Sequence, residues 1–203
     1  MGKVLQFSAK PPAKFGFERV KKRRKTDRDV LGQLNLFAGR AQILHMPRDI
    51  TPFEEALLLD ERGDKRAEES YRNAISEGDC VADAYCNLGI LESKGGRTGK
   101  AFDCFTKSLQ HGPRHFESHY NLGNLYFDSG DLRLARMHYE MASEVEPTFP
   151  NLYFNLALAL ALSEDFRAAV DALSRYKKLA PKHEGEKADD LLSSLKRSMP
   201  KQT

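Results

Sequence analysis

The chain has 203 residues, of which 40% are hydrophobic and 30% charged, and its formal net charge is +3. No run approaches the roughly 18 apolar residues of a membrane span, and the amino terminus lacks the apolar stretch of a signal peptide. Three cysteines give no framework of the disulfides that hold small secreted domains together, so we expect a cytoplasmic location without membrane association.

Charge separates the first 48 residues from the rest. They contain 12 Lys and Arg against 3 acidic residues, a net charge of +9, which leaves −6 for the remainder. Prolines at positions 11 and 12 and a dense basic run favour a segment that is not packed. We predict a basic, largely disordered arm over residues 1–48, whose apolar residues between 30 and 46 could dock on the body. The basic run is Lys21, Lys22, Arg23, Arg24 and Lys25.

A helix start follows the arm. Thr51-Pro52 supplies a cap and a proline for the first helical position, and Glu54 completes a capping box. Gly63 marks a turn, and Ala67 begins a second helical spacing. Residues 49–81 are therefore predicted to form a degenerate helical hairpin.

Three stretches then repeat one pattern at intervals of 34 residues, and this period indicates a stacked array of helical hairpins. Small residues let two helices approach closely, and proline ends the second helix because it has no amide proton to donate. The predicted hairpins are 82–115, 116–149 and 150–183. The recurring positions are Leu88-Gly89, Leu122-Gly123 and Leu156-Ala157, then Ala101, Ala135 and Ala169, then Phe105, Tyr139 and Leu173, and finally Pro113, Pro147 and Pro181.

An amphipathic segment follows the last hairpin. Ala188, Leu191, Leu192 and Leu195 share one face of a helix predicted over residues 185–199. A repeat array ends in an apolar face, and a helix with a polar outer side covers it. Residues 200–203 are a short tail.

The recurring positions resemble the tetratricopeptide repeat family. The resemblance implies an all-α fold, a right-handed α-solenoid of stacked antiparallel helix pairs with a C-terminal capping helix. It covers residues 49–199, about two thirds of the chain and more. Glu92 stands where the family usually has Tyr, and Ser108 stands where it has Ala.

The resemblance also implies a concave groove lined by the first helix of each hairpin, into which the residue before Leu-Gly points. Here that residue is Asn each time. An amide side chain offers both a donor and an acceptor, so the three asparagines predict a ladder for a peptide backbone; they also suit the role of tying neighbouring helices together. The predicted groove residues are Asn87, Asn121, Asn155, Tyr120, Asn124, Phe127, Phe154, Asp83 and Glu117.

The preferred interpretation is a non-enzymatic scaffold that binds a peptide segment of another protein, with the basic arm as a gate that folds back onto the acidic groove. An alternative gives the arm the main role, because a run of Lys and Arg binds nucleic-acid phosphates. A tail without function is the third reading. The sequence leaves homo-oligomer formation open.

No catalytic motif or cofactor signature is present. Gly95 to Lys100 lacks the first glycine and the final hydroxyl of a phosphate-binding loop. His111, His115 and His119 lie near the cysteines in sequence, but Pro113 interrupts the helix between the first two. We therefore predict neither a metal site nor an enzyme.

Overall fold

The computed structural model describes residues 13–22, 50–181, 184 and 188–198. They fall into two compact units. The N-terminal repeat unit is Arg19–Gly112, and the C-terminal repeat unit comprises Met1–Glu18 and Pro113–Thr203. All regular secondary structure in the described ranges is helical, which confirms the predicted all-α solenoid of stacked helix pairs. No helix among these residues is long and apolar enough to cross a membrane.

The N-terminal repeat unit contains two helix pairs. The first begins with the predicted capping box, in which Glu54 N–H donates to the Thr51 hydroxyl and Thr51 N–H donates to the Glu54 carboxylate. Gly78 ends its second helix with a positive φ of 74°, a conformation that glycine adopts without strain. The helices are α1 Pro52–Glu61, α2 Ala67–Glu77, α3 Val81–Lys94 and α4 Thr98–His111.

The C-terminal repeat unit contains two further pairs and a final helix. Asp131 and Asp165 cap the second helix of each pair by accepting a backbone N–H. The final helix buries Ala188, Leu191 and Leu195 as predicted and packs on the helix before it. The helices are α5 Phe116–Asp128, α6 Leu132–Val145, α7 Pro150–Leu162, α8 Phe166–Leu179 and α9 Asp189–Ser198.

Glycine sits where two helices of a pair approach most closely. A Cβ built on Gly89 would lie 2.8 Å from the Phe105 ring, and one built on Gly123 would lie 2.5 Å from the Tyr139 ring. Neither distance is tolerated by non-bonded carbon atoms, so these positions require glycine unless the aromatic ring moves.

Glu92, the departure from the family pattern, is compensated by two arginines. Its side chain is 2% exposed, and its carboxylate pairs with Arg97 and, at 3.1 Å, with Arg72. Glu68 joins the same cluster by accepting from Arg72 at 2.7 Å and pairing with Arg97 at 3.1 Å. The hydrogen bond from Arg72 lowers the pKa of Glu68. A buried carboxylate is therefore held by charge-assisted hydrogen bonds where the family has a tyrosine.

Candidate peptide-binding groove

Residues 13–22, here called the arm segment, lie against the first helices of the array without forming helix or strand. The sequence predicts an unpacked arm over residues 1–48, and these ten residues differ from it because their backbone groups find partners on the helices. The apolar residues between 30 and 46 lie outside the described residues.

Two asparagines of the C-terminal repeat unit bind the backbone of the arm segment. Phe15 N–H donates to Asn155 Oδ1 at 2.8 Å, and Asn155 Nδ2 donates to the Phe15 carbonyl at 3.0 Å. Glu18 N–H donates to Asn121 Oδ1 at 2.8 Å, and Asn121 Nδ2 donates to the Glu18 carbonyl at 2.8 Å. Within this unit the arm segment therefore runs opposite to the order of the repeats.

The N-terminal repeat unit repeats this arrangement with Asn87. Val20 N–H donates to Asn87 Oδ1 at 2.9 Å, and Asn87 Nδ2 donates to the Val20 carbonyl at 2.9 Å. Asn87 Nδ2 also lies 3.1 Å from the hydroxyl of Tyr71, which donates to Asp60 at 3.2 Å. Burial and the nearby Asp60 raise the pKa of Tyr71, so its hydroxyl stays protonated.

The paired hydrogen bonds have a simple geometric cause. A primary amide presents an acceptor and a donor side by side, and the N–H and C=O of one residue face the same side when its backbone is close to extended. Each pair thus resembles the exchange of hydrogen bonds across a β-ladder and involves no side chain of the bound residue. Asn87, Asn121 and Asn155, the asparagine ladder, are all fully buried.

A fourth asparagine links the ladder to the core of the C-terminal repeat unit. Asn124 Nδ2 donates to the Gly16 carbonyl at 3.0 Å. Its Oδ1 accepts from the Tyr139 hydroxyl at 2.7 Å and from Asn155 Nδ2 at 2.9 Å. Asn155 Nδ2 also lies 3.0 Å from the Tyr120 hydroxyl. These contacts fix the orientation of the Asn155 amide before it meets a peptide backbone.

Side chains of the arm segment enter the array at two places. In the C-terminal repeat unit, Phe15 packs edge-on against Phe154 at a centroid distance of 5.2 Å and lies 6.1 Å from Tyr176. In the N-terminal repeat unit, Val20 is only 3% exposed. Full burial of such an apolar side chain contributes about 1.5–3 kcal/mol.

Each of these apolar side chains follows a cation that pairs with a carboxylate. Lys14 Nζ lies 3.2 Å from Asp128, whose side chain is 55% exposed. Arg19 lies 3.0 Å from Asp60, whose side chain is 6% exposed, and 3.9 Å from Glu61. Burial opposes the charge on Arg19, but hydrogen bonding and attraction to Asp60 outweigh it and raise the arginine pKa.

The other predicted groove residues occupy varied places. Tyr120 is 1% exposed and belongs to the core, and Phe127 packs against the same core. Asp83 is buried, and Glu117 lies 3.5 Å from His115. None of these four has a direct contact with the arm segment among those described above, so the ladder, Asn124 and Phe154 form the inner surface that meets it.

Sequence reasoning missed Asp60, Tyr71 and Tyr176 as groove residues. Asp60 and Tyr71 belong to the degenerate hairpin, where no Leu-Gly pair indicates which residues face the groove. Tyr71 does recur with Tyr139 at twice the 34-residue period, and that spacing was the available signal for a hydroxyl behind the ladder.

Of the basic run, Lys21 and Lys22 are exposed, and Arg23, Arg24 and Lys25 lie outside the described residues. Nucleic-acid binding by this run stays a prediction, as does the oligomeric state.

The histidines form a pair rather than a cluster. His119 Nε2 donates to the Pro113 carbonyl at 3.0 Å, so His119 Nδ1, 3.1 Å from His138 Nδ1, is the acceptor. Burial lowers the pKa of His138 to about 4, and burial also lowers the pKa of His119. In the described part of the chain, no three His, Cys, Asp or Glu side chains are grouped to hold a metal ion.

The geometry defines a helical-repeat array with a backbone-binding amide ladder, and comparison with known proteins agrees with this class. A family model described as TPR repeat matches residues 123–163. Tetratricopeptide repeat protein 8 of Mus musculus is 29% identical over 103 residues, which are 51% of this chain. The chain spans only 20% of the length of that relative.

Solved structures share the fold. The crystal structure of MamA has a TM-score of 0.56 and 15% identity, and the match covers 70% of this chain and 93% of MamA. The first TPR of Spaghetti (RPAP3), bound to the HSP90 peptide SRMEEVD, has a TM-score of 0.53 and 20% identity, with 58% and 94% of the two chains covered. The chain carries tetratricopeptide repeats, as the resemblance predicted, and its fold is that of a protein-interaction scaffold.

Proposed function

We propose that this chain is a non-enzymatic scaffold whose asparagine ladder binds an extended peptide segment of another protein, and that the arm segment gates this site by occupying it. The observation that carries the proposal is the set of paired hydrogen bonds from the ladder to the backbones of Phe15, Glu18 and Val20. Such pairing suits any extended chain, so a peptide from a partner can take the same place.

The burial of the ladder supports a binding role over mere helix bridging. A buried amide that loses its partner costs about 1–3 kcal/mol, so each asparagine needs a backbone opposite it. Asn155 and Asn87 also contact the hydroxyls of Tyr120 and Tyr71, yet both point an acceptor oxygen at the arm segment. Helix bridging alone leaves the Oδ1 atoms unexplained.

Charge supports a basic rather than an acidic peptide. The TPR of RPAP3 is bound to a peptide with three acidic residues, SRMEEVD. In this chain Asp60 and Asp128 instead pair with cations of the arm segment. The predicted groove also holds Asp83 and Glu117. A ligand with the charge of the arm is therefore favoured, and it must outcompete a segment that is covalently attached to the array.

The test measures binding in trans of a fluorescein-labelled peptide with the sequence of residues 13–22. The full chain is compared with a full-chain variant, Phe15→Ala/Val20→Asp, in which the arm is weakened. We expect the peptide to bind the weakened-arm variant at least ~10-fold more tightly, since the arm no longer competes. Fluorescence anisotropy gives both affinities.

Ladder variants in the weakened-arm background complete the test. Asn87→Ala and Asn121→Ala should each reduce affinity about 5–10-fold, because each removes two hydrogen bonds to the peptide backbone. Asn73→Ala is the matched control, since Asn73 is an exposed helical asparagine away from the arm segment. Helix content by circular dichroism shows that each variant folds. Equal peptide binding by all these chains would contradict the proposal.

A further inference from the structure

Each repeat unit contacts the arm through the same two-residue arrangement, which goes beyond backbone recognition. In the C-terminal repeat unit the pair is Lys14-Phe15, and in the N-terminal repeat unit it is Arg19-Val20. In both pairs the first residue is a cation and the second is apolar. In both, the backbone of the apolar residue is the one that a ladder asparagine holds from both sides.

The register makes this coincidence informative. When Asn155 holds the Phe15 backbone, the Phe15 ring meets Phe154 and the preceding Lys14 reaches Asp128. When Asn87 holds the Val20 backbone, the valine side chain is buried and the preceding Arg19 reaches Asp60. The amide therefore sets the position, and a pocket and a carboxylate read the two side chains.

Gly16, between the pairs, shows the contrast. A Cβ built on Gly16 would meet no atom within 4 Å, so this position accepts other side chains. Only its carbonyl is bound, by Asn124.

We infer that each repeat unit recognises a cation followed by an apolar residue, and that the partner is an extended segment of another protein carrying two such pairs. This inference rests on the proposed function, and it names the chemistry of the ligand: Lys or Arg before an aromatic residue, and Lys or Arg before a β-branched one. In the arm segment three residues separate the pairs. The segment is thus an internal copy of the ligand motif, and a partner displaces it by presenting the same two pairs.

The experiment uses the labelled peptide of residues 13–22 and its variants on the weakened-arm chain, Phe15→Ala/Val20→Asp. The Val20→Asp peptide should bind more than ~10-fold more weakly, because it places a charge in a buried apolar site. Phe15→Ala and Arg19→Glu should each cost about 10-fold, since each removes a buried or partly buried anchor. Lys14→Glu should cost only about 3-fold, because Asp128 is exposed.

Two controls separate specific recognition from general charge. The Lys22→Ala peptide loses one positive charge at an exposed position and should bind within about 2-fold of the original peptide. An Asp128→Lys substitution in the chain should reverse the preference, so that the Lys14→Glu peptide binds better than the original peptide. General attraction between a basic peptide and an acidic array predicts no such reversal.

The outcomes distinguish this inference from the proposed function. Binding that depends on Asn87 and Asn121 but tolerates changes at Phe15, Arg19 and Val20 would overturn the pair motif and leave the scaffold function intact. Binding that ignores the ladder would overturn both. Sedimentation velocity of the full chain supplies a further check: a dimer that dissociates in the weakened-arm variant would make a second copy the occupant and overturn the assignment to another protein.

Discussion

The helix pair α3–α4 and the pair α5–α6 are copies of one 34-residue pattern in different repeat units, and they agree where the chain is closest to a partner helix or to the arm segment. Gly89 corresponds to Gly123, and Asn87 corresponds to Asn121. Both glycines face an aromatic ring, and both asparagines are fully buried and hold arm backbone. Helix approach and backbone recognition are therefore the constant part of the repeat.

The two pairs differ in the polar groups between these positions. Where α3 has Glu92, held by two arginines, α5 has Tyr126, which stacks on His138 at 5.4 Å. Where α5 and α6 have the pair His119 and His138, α3 and α4 have Tyr85 and Cys104. Burial raises the pKa of Cys104 to about 11, so its thiol stays neutral. The same scaffold thus accepts an ion cluster in one copy and neutral histidines in the other.

The largest expected effect comes from adding a methyl group at the close helix contact. Gly123→Ala should lower the free energy of unfolding by about 2–3 kcal/mol, because its Cβ would overlap the Tyr139 ring. The Tyr139 hydroxyl is bound to Asn124 at 2.7 Å, which prevents the ring from moving aside. Urea denaturation gives the value.

Gly89→Ala should cost less, about 1–2 kcal/mol, since the Phe105 ring has no hydroxyl to anchor it. Gly99→Ala is the control: a Cβ there meets nothing within 4 Å, and alanine favours the helix by roughly 0.5–1 kcal/mol. Equal losses at Gly89 and Gly123 would contradict the role assigned to the tyrosine hydroxyl.

The histidine pair makes acid selective for the C-terminal repeat unit. The pKa of His138 is about 4 when folded, and an unfolded histidine titrates near 6.5, so the unfolded state binds more protons between these values. Stability contributed by the neutral pair is present above pH 6.5 and is lost as the pH falls toward 4. Stability at pH 5 should be lower by about 2 kcal/mol from His138 alone.

The groups that surround the pair do not offset this loss. His115 disfavours the charge on His119, and the Pro113 carbonyl favours it only in part. His138→Leu should therefore flatten the dependence of stability on pH between 6.5 and 5. His111→Leu is the matched control, because His111 is exposed in α4. An unchanged slope in His138→Leu would show that the pair is not the cause.

A smaller effect is expected for the ion cluster of the N-terminal repeat unit. Glu92→Gln keeps the shape but removes the charge, and it should cost about 1–2 kcal/mol because hydrogen bonds to a charged group are lost. Arg72 and Arg97 are about half exposed and remain hydrated, which limits the loss. Glu69→Gln, at an exposed position of α2, should stay within about 0.5 kcal/mol. A stabilised Glu92→Gln chain would mean that desolvation outweighs the pairing.

The smallest effect concerns Ser108, the second departure from the family pattern. Its hydroxyl donates to the Ala82 carbonyl at 2.6 Å, and the corresponding position in α6 is Ala142. Ser108→Ala should cost roughly 0.5–1 kcal/mol, the net contribution of one hydrogen bond. Thermal denaturation followed by circular dichroism is sufficient, and a raised melting temperature would show that the hydroxyl is not needed there.

The sequence predicted what depends on spacing within the repeat. Leu-Gly pairs, alanines and prolines 34 residues apart predict helix pairs, and Thr51 with Glu54 predicts where the first helix begins. The asparagines were found for the same reason, because they precede the Leu-Gly pair.

The arm segment could not be placed from sequence. Its ten residues have no periodicity, and the ladder holds their backbone, which every residue shares. Nor does spacing reveal that Arg19 meets Asp60, since an ion pair between residues 41 positions apart depends on the register of the whole segment. Opposite charges of arm and body predicted attraction but no register.

The central claim, that the asparagine ladder holds the arm backbone, is tested most directly by residue-resolved amide hydrogen exchange on the full chain by NMR. The amides of Phe15, Glu18 and Val20 should exchange at least ~10-fold more slowly than in an isolated peptide of residues 13–22, since each is hydrogen-bonded to a buried amide oxygen. Asn121→Ala should restore fast exchange at Glu18. Exchange at free-peptide rates for all three amides in the unaltered chain would contradict the account.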